Sequence, residues 1–313
     1  MRRSVTLIGL LQAAAALTVS FSIVTAFDFL HRWIELFSHF RLQYLVVAAL
    51  LAITFAALRS YAYMLALLLT SVFNAALVAP WYFEDTPQTG GIPVKILLAN
   101  VHASNTSYER LIELVAEESP DIVFLQEVNN AWMAATRALA SGYAFHYAQP
   151  REGNFGIAMF SRIPLDSVTH VDSPPRSHPT IVAEASVSGR EFTVISTHPD
   201  IPIGKSGYLA RNHQLEHVAS LVADASGPTV LIGDLNTSIW SQSYKTLIAG
   251  TGLHDARRGF GVLPTWPTLM PFAMIPLDHA LVSSGIGVVD IRPGRRIGSD
   301  HLPLVVVVHI TSR

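Results

Sequence analysis

The sequence predicts an α/β domain that follows a membrane domain of three transmembrane helices. Residues 1–83 are almost continuously apolar, whereas residues 93–313 alternate between short apolar runs and helical segments. Several of the short runs end at a polar residue that is capable of metal or phosphate chemistry. We therefore divide the chain into a membrane domain at 1–83, a linker at 84–92 and one α/β domain at 93–313.

The N-terminal part contains three uncharged apolar stretches, at 5–27, 42–58 and 61–79. Each is close to the roughly 20 residues that an α-helix needs to cross a bilayer. A cleavable signal peptide is an alternative for the first stretch, because Arg2 and Arg3 precede it. A buried helical hairpin in a soluble protein is a second alternative. Three consecutive stretches favour three membrane spans over both.

The basic residues beside these stretches bear on the orientation of the protein. The two sides carry similar numbers of them, with Arg2, Arg3 and Arg59 on one and Arg32, Arg41 and Lys95 on the other. The first helix usually dominates, which favours a cytoplasmic N-terminus and, after three crossings, an extracytoplasmic α/β domain. We therefore expect an integral protein of a bacterial inner membrane, with the lipid bilayer as its partner and no protein partner evident.

The composition excludes several kinds of chemistry. The chain has no cysteine, which removes disulfides, thiolate metal ligands and thiol nucleophiles. The α/β domain carries slightly more acidic than basic residues, which disfavours a positively charged nucleic-acid clamp. Nucleic acid is therefore a less favoured partner than another phosphorylated substrate.

The α/β domain contains one run whose end is especially informative. Residues 229–233 are β-prone and end in glycine, and Asp234 and Asn236 follow. Side chains of a strand alternate between its two faces, so Asp234 and Asn236 point to the same side. A carboxylate and a carboxamide at a strand end suit a hydrated divalent cation or a phosphate.

The same arrangement recurs along the domain. Runs at 94–99, 121–126 and 192–197 lead into Asn100, Glu127 and His198, whereas Asp278 and the pair Asp300-His301 precede apolar runs. Strand ends gathered along one edge of packed sheets would bring these residues into one cleft. Helices are expected at about 106–119, 129–140, 208–225 and 241–249. Arg211 on the third of these helices either faces the cleft and holds phosphate or faces solvent.

The polar motifs have an order as well as a composition. They are Asn100 at a strand end, Leu-Gln-Glu at 125–127, Ser-Thr-His at 196–198, Gly-Asp-Leu-Asn at 233–236, Leu-Asp-His at 277–279 and Ser-Asp-His-Leu-Pro at 299–303. Together they resemble the endonuclease/exonuclease/phosphatase superfamily, which includes DNase I-like nucleases and lipid and inositol phosphate hydrolases. The resemblance covers about 93–313 and implies a four-layer α/β sandwich, in which helices flank two packed mixed β-sheets.

The resemblance also implies a metal site. In the family, the residue matching Glu127 binds a divalent cation, usually Mg²⁺ with Mn²⁺ as an alternative, and the residue matching Asn100 lies beside it. Asp300 would support His301 or reach the metal. Several family nucleases have an acidic residue two places after the asparagine, where this chain has His102. We therefore expect a single, weakly held Mg²⁺.

Five further residues match catalytic positions of the family. The resemblance makes His301 the general acid/base or a phosphate ligand, with Asp278 orienting its imidazole. Asp234 would position or activate the attacking water. Asn236 and His198 would donate hydrogen bonds to phosphate oxygens.

These features predict a membrane-anchored, Mg²⁺-dependent phosphoesterase that acts on a phosphate ester or a diphosphate. A lipid-linked substrate is attractive, because tethering raises its effective concentration at the site. The proline-rich apolar segment at 264–276 is either a packed loop or a hydrophobic lip that faces the bilayer. An extracytoplasmic nuclease is one alternative. A non-catalytic membrane adaptor is another, against which the presence of the principal motif residues argues.

Overall fold

The structure is a computed structural model that describes residues 6–83 and 90–311. The N-terminal part is helical, with α1 at Leu7–Val24, α2 at Arg32–Ser38, α3 at Arg41–Ala57 and α4 at Tyr61–Val78. Short 3₁₀ helices follow α1 at Thr25–Leu30 and α4 at Ala79–Trp81. Of the predicted linker, residues 84–89 lie outside the described residues, and the first strand begins at Ile92.

The described N-terminal helices include two that are long and apolar enough to cross a membrane, Leu7–Leu30 and Tyr61–Trp81. The helices α2 and α3 meet this criterion only as a pair, and the chain bends by 64° between them. Residues 6–83 and 90–311 thus contain two such helices, or three if the bent pair is one span. The short helix α2 lies between the first two apolar stretches, where no helix was predicted.

The second part contains twelve strands among the residues described. They are β1 at Ile92–Asn100, β2 at Ile122–Gln126, β3 at Phe145–Gln149, β4 at Ile157–Ser161, β5 at Leu165–Ser173, β6 at His178–Val187, β7 at Arg190–Thr197, β8 at Thr229–Asp234, β9 at His254–Asp255, β10 at Asp278–Val282, β11 at Ile286–Pro293 and β12 at Leu304–Ile310. One sheet has the order β11-β12-β1-β2-β4-β3 and the other the order β5-β6-β7-β8-β10-β9. Each is mixed, because β1 and β2 are parallel, as are β7 and β8, while the other pairs are antiparallel.

The two sheets pack face to face over an apolar core. Alternate side chains of the central strands fill it, among them Leu98, Phe124, Ile232 and Val306, all fully buried. Burying a side chain of this size contributes about 1.5–3 kcal/mol, which explains why the strands are almost continuously apolar. The prediction of two packed mixed sheets is therefore confirmed.

Helices cover the outer faces of both sheets. The first sheet is covered by α5 at Tyr108–Glu118 and α6 at Asn130–Ala135, and the second by α7 at Gly204–Asp224 and α8 at Gln242–Thr251. The apolar cluster under α7 and α8 also includes Val78 and Trp81 from the end of the N-terminal helices. The N-terminal helices and the sandwich therefore share part of one apolar core.

The register of the strands places several polar residues at one edge. The Cα of Asn100 lies opposite that of Gln126 across the parallel pair β1 and β2. In the second sheet, Asp278 at the start of β10 lies opposite Asp234 at the end of β8. Both parallel pairs run toward this edge, so residues far apart in sequence meet there.

Candidate active site

Asn100 and Glu127 extend from the two parallel strands of the first sheet. Asn100 is the last residue of β1, and Glu127 follows β2 directly. The Asn100 side-chain amide donates to Glu127 Oε1 at 3.1 Å and to Asp234 Oδ2 at 3.2 Å. The backbone N–H of Ala103 donates to Glu127 Oε2 at 3.2 Å. This network holds one carboxylate from each sheet around a single amide.

The backbone at the two key strand ends is in the left-handed region. Glu127 has a φ of 62° and Asn236 a φ of 49°. For residues other than glycine this conformation costs on the order of 1–3 kcal/mol and occurs mainly where the surrounding structure enforces it. The cost is smaller for asparagine than for glutamate. Two such residues facing one cleft are typical of a functional site.

Gln126 connects the two sheets directly. Its Nε2 donates to the carbonyl of Thr197 at 2.7 Å, and its Oε1 accepts from the backbone N–H of Asp234 at 2.8 Å. The side chain is fully buried, and a Cβ on Gly233 would clash with the Thr197 carbonyl and approach the same amide. Gly233 is therefore required by close approach of the two sheets. The Leu-Gln-Glu motif contained Gln126, but the sequence analysis assigned it no role.

His301 and Asp278 form a buried pair. His301 Nδ1 lies 2.8 Å from Asp278 Oδ2, and His301 Nε2 lies 3.5 Å from Asp234 Oδ2. All three side chains are buried. Asp278 therefore contacts one ring nitrogen of His301, and the other ring nitrogen faces the carboxylate of Asp234.

His198 and Asn236 complete this side of the cleft. His198 Nε2 lies 3.4 Å from Asp234 Oδ2, and the Asn236 amide lies 3.3 Å from the same nitrogen. The Asn236 amide also donates to the Pro199 carbonyl at 3.0 Å, and its backbone N–H donates to Asp234 Oδ1 at 2.9 Å. Asp234, His198 and Asn236 therefore hold one another in position.

Charges within the cleft determine the protonation of these groups. Burial by itself lowers the pKa of His301, but the charges of Asp278 and Asp234 outweigh it and raise the pKa to about 10. Burial also opposes the charged form of His198, yet its hydrogen bond and charge interaction with Asp234 raise the pKa of that imidazole. Burial raises the pKa of Asp234, but the two imidazoles more than reverse this and hold it well below its usual range. At neutral pH the cleft therefore holds an ionised carboxylate beside a protonated His301.

Asp300 and His102 lie at the outer side of Glu127. His102 Nδ1 is 3.6 Å from Glu127 Oε2 and 3.4 Å from Asp300 Oδ1. The other oxygen of Asp300 accepts a hydrogen bond from the indole N–H of Trp266 at 3.0 Å. The sequence analysis treated His102 only as a departure from the family pattern, whereas the structure places it between two carboxylates in the cleft.

The side chains around Glu127 fit a divalent cation. Asp300 Oδ1 has no hydrogen-bond partner among the described residues, although it is shielded from solvent. The carboxylates of Glu127 and Asp300 supply the hard oxygen ligands that Mg²⁺ prefers, with room for water in a partly open cleft. Asp234, Asp278 and His301 also place one ligand atom each within 4.8 Å of one another. Within this trio, His301 Nδ1 already lies within hydrogen-bond distance of Asp278 Oδ2.

A cavity of about 270 Å³ contains these groups. Its lining includes six of the eight predicted site residues, namely Glu127, His198, Asp234, Asn236, Asp300 and His301. The remaining lining is largely apolar, with Ile201, Pro202, Ile203, Trp266, Ile275 and Leu277. Asn100 and Asp278 lie behind it and contact the lining residues. Leu36 and His39, from the N-terminal helical part, also line the cavity, and no local sequence pattern predicts this position.

Arg211 has neither of the two positions considered from the sequence. Its side chain is buried, with NH1 donating to the Asn236 carbonyl at 2.9 Å and NH2 to Glu35 Oε1 at 2.9 Å. It is absent from the residues that line the cavity, so it faces neither phosphate nor solvent. Its carboxylate partner lies on α2 and could not be identified from local sequence.

A buried charged network supports Asp278 from behind. The Arg257 guanidinium donates to the Asp278 carbonyl at 2.6 Å and lies 3.1 Å from His279 Nδ1. His279 Nε2 lies 2.8 Å from the Thr237 carbonyl. Burial raises the pKa of the neighbouring Asp255 carboxyl, but the charge of Arg257 outweighs this and lowers it to about 2. The network fixes the strand start that carries Asp278, and only His279 had appeared in a predicted motif.

Comparison with known proteins identifies the family to which the chain belongs. The model of the endonuclease/exonuclease/phosphatase family matches residues 97–301. A comparison with curated protein sequences gives no significant match.

Solved structures with low sequence identity share the fold. The structure of D. rerio TDP2 complexed with single-strand DNA product is 18% identical, with a TM-score of 0.58 over 69% of this chain and 99% of that chain. The human Nocturnin catalytic domain with bound sulfate is 20% identical, with a TM-score of 0.58 over 72% and 98%. The endonuclease/exonuclease/phosphatase from Bacteroides vulgatus is 17% identical, with a TM-score of 0.60 over 70% and 99%. Since the family model covers most of the chain, the protein belongs to the endonuclease/exonuclease/phosphatase family and is a metal-dependent phosphoesterase or nuclease.

Proposed function

We propose that the protein is a membrane-anchored, Mg²⁺-dependent phosphoesterase that hydrolyses a lipid-linked phosphate ester or diphosphate. The observation that carries this proposal is the position of exposed apolar side chains. Within 90–311, the described large apolar residues that are strongly exposed fall in two short segments and on α7, namely Ile201, Ile203, Leu209, Leu269, Met270 and Phe272. Two of them line the cavity, and the 269–272 segment lies between the lining residues Trp266 and Ile275.

The segment 269–272 lies close to the apolar helices. Gln43, near the start of α3, donates from Nε2 to the Met274 carbonyl at 2.8 Å. The neighbouring Leu269 and Phe272 are 82% and 79% exposed, which is unfavourable in water but suits a lipid headgroup and acyl-chain boundary. Of the two interpretations of 264–276, this supports a hydrophobic lip, and we name residues 269–272 the lip.

The lining of the cavity also favours a lipid phosphate over a nucleic acid. No lysine or arginine is among the described residues that line it, and much of the remaining lining is apolar. Binding of a nucleic-acid backbone depends mainly on lysine and arginine contacts to successive phosphates. A single phosphate or diphosphate on an apolar chain would need only the polar end of the cavity.

The chain supplies the groups that the reaction requires. The ionised Asp234 carboxylate can orient and deprotonate the attacking water. The protonated His301, held by Asp278, can hold a phosphate oxygen through Nε2 or give its proton to the departing oxygen. His198 and Asn236 lie beside Asp234 and can bind other phosphate oxygens. Glu127 and Asn100, with Asp300, would hold Mg²⁺, which polarises the phosphate and stabilises negative charge when bound.

The membrane arrangement is also part of the proposal. Two or three apolar helices are compatible with the predicted spans, and the orientation expected from the first helix places the catalytic domain outside the cytoplasm. Protease treatment of intact spheroplasts tests this orientation. We expect cleavage within the catalytic domain without lysis, and cleavage that requires lysis would reverse the orientation.

The activity is tested with the full chain in detergent. Release of phosphate is measured from lipid phosphates, lipid diphosphates, nucleotides and plasmid DNA, each with Mg²⁺ and with EDTA. We expect Mg²⁺-dependent turnover of a lipid class that is lost in Glu127→Ala and His301→Ala. Nicking of plasmid without lipid turnover would replace the phosphoesterase with the nuclease.

The lip is tested by a substitution outside the catalytic residues. Phe272→Ser should lower turnover of a lipid phosphate in mixed micelles while turnover of a soluble phosphodiester stays close to that of the unmodified protein. Leu209→Ser is a matched control, because it also removes an exposed apolar side chain but lies on α7, outside the lip. An equal loss on both substrates in Phe272→Ser would contradict a role in lipid access.

A further inference from the structure

We propose that α2 is part of the active site, and that Glu35 is a positioning residue that acts on Asn236 through Arg211. This inference rests on the hydrolytic activity proposed above, but not on the choice of a lipid substrate. It assigns a catalytic consequence to a segment that otherwise serves only to connect two apolar helices.

The first observation is a buried ion pair between the two parts of the chain. Glu35 Oε1 accepts from Arg211 NH2 at 2.9 Å, and both side chains are about 1% exposed. The Ser243 hydroxyl makes a short hydrogen bond to the same carboxylate oxygen. A buried pair of this kind is rigid, because separating the charges would leave each of them desolvated.

The second observation is the other hydrogen bond of the Arg211 guanidinium. Arg211 NH1 donates to the Asn236 carbonyl at 2.9 Å. Asn236 has a φ of 49°, and its side-chain and backbone N–H groups contact His198 and Asp234. The carbonyl that Arg211 holds therefore belongs to a left-handed residue inside the catalytic network.

A third contact joins the same two segments independently. His39, which follows α2, places Nδ1 2.7 Å from the Ser238 hydroxyl, and both residues are buried. The residues 236–238 thus have hydrogen-bonded links to α2 and its C-terminal end at two points. Leu36, between them on the helix surface, lines the cavity itself.

Through these contacts, α2 holds the backbone of Asn236 in position. Without the charge of Glu35, Arg211 loses the partner that orients its guanidinium, and the Asn236 backbone is free to relax from its left-handed conformation. Small displacements of groups that must meet a reacting phosphate reduce rate much more than affinity. We therefore expect kcat to fall while KM changes little.

The test uses the full chain in detergent with bis(p-nitrophenyl) phosphate, a soluble diester that does not depend on the lip. Glu35→Gln should lower kcat by about 10- to 100-fold with KM nearly unchanged. Trp240→Phe is the matched control. It removes another hydrogen bond between the two parts of the chain, from the indole N–H to the Leu77 carbonyl at 3.1 Å, without touching Asn236. It should lower the melting temperature but leave kcat near that of the unmodified protein.

A double variant separates positioning from stability. Glu35→Gln combined with Arg211→Met removes both charges, and replacing a buried ion pair by apolar groups is often neutral for folding. We expect this variant to regain a normal melting temperature but to remain slow, because the contact to the Asn236 carbonyl is absent. Recovery of normal kcat in the double variant would overturn the proposal.

Backbone hydrogen exchange tests the positioning role of Glu35 independently of turnover. Peptides that span 235–241 should exchange faster in Glu35→Gln than in the unmodified protein, whereas peptides of β8 should not. Unchanged exchange at 235–241 would overturn the positioning role, even if the protein does not hydrolyse the soluble diester. Hydrolysis of that diester without hydrolysis of any lipid would instead count against the lipid substrate alone.

Discussion

Replacing Asp278 by asparagine should lower the pKa of His301 by about one to two units. The Asp278 carboxylate lies 2.8 Å from His301 Nδ1, and its charge is the largest influence that raises the pKa of His301 to about 10 against the effect of burial. Asparagine keeps the shape and an acceptor oxygen but removes the charge. A hydrogen bond to a charged group contributes about 1.5–3 kcal/mol, and one pKa unit corresponds to about 1.4 kcal/mol.

The same substitution has a defined effect on stability. Because the pKa of His301 is raised on folding, its protonation stabilises the native state fully below about pH 6.5, the usual value for histidine. That contribution is lost as pH rises through about 10. Asp278→Asn should therefore be less stable than the unmodified protein at pH 7 and should lose less stability between pH 7 and 10.

The pKa is measured by NMR titration of the histidine side chains in detergent with EDTA present. His301→Asn identifies the resonance among the 13 histidines of the chain. Asp290→Asn serves as a control, since it removes a partly exposed carboxylate that pairs with Arg292. A His301 pKa that is unchanged or higher in Asp278→Asn would refute the electrostatic explanation of the pair.

Three further predictions concern the metal, the core and the acid limit of stability. Glu127→Gln should weaken Mg²⁺ binding, measured by calorimetry, by at least about 10–100-fold, because loss of a residue that only hydrogen-bonds to a metal ligand already has an effect of that size. Unchanged binding would place the metal elsewhere. Leu98→Ala, between the two sheets, should lower the free energy of unfolding by about 2–5 kcal/mol in denaturant titrations, and a loss well below 1 kcal/mol would contradict tight packing there. Burial raises the pKa of Asp255, but Arg257 lowers it to about 2, so its ionised form stabilises the fold above about pH 4, and this contribution is lost as pH falls toward 2. Stability in Asp255→Asn should therefore depend less on pH between 2 and 4, and identical pH profiles would contradict this role.

The two sheets could be predicted because their signal is local. Each strand is a short apolar run, and the residue that ends it is adjacent in sequence, as Asp234 is to β8. Order along the chain then identified the family motifs. The contact between Asn100 and Asp234 follows once both strand ends are expected at the same edge.

The contribution of α2 could not be predicted in this way. Its seven residues include Arg32 and Glu35, a composition that resembles a loop between two membrane spans. The partner of Glu35 is Arg211, 176 residues later, and no periodicity connects them. His102 was missed for a related reason, since its position between Glu127 and Asp300 depends on packing of separate loops.

The division of the site between two sheets has a consequence for biosynthesis. The first sheet carries Asn100 and Glu127, whereas the second carries His198, Asp234 and Asp278. The first sheet also needs β11 and β12, which follow every strand of the second sheet in the sequence, so it cannot be completed before the second sheet has been synthesised. A nascent or truncated chain that lacks β11 and β12 would therefore have no assembled site. Hydrolysis would begin only once both sheets are complete, and activity would report directly on folding of the whole sandwich.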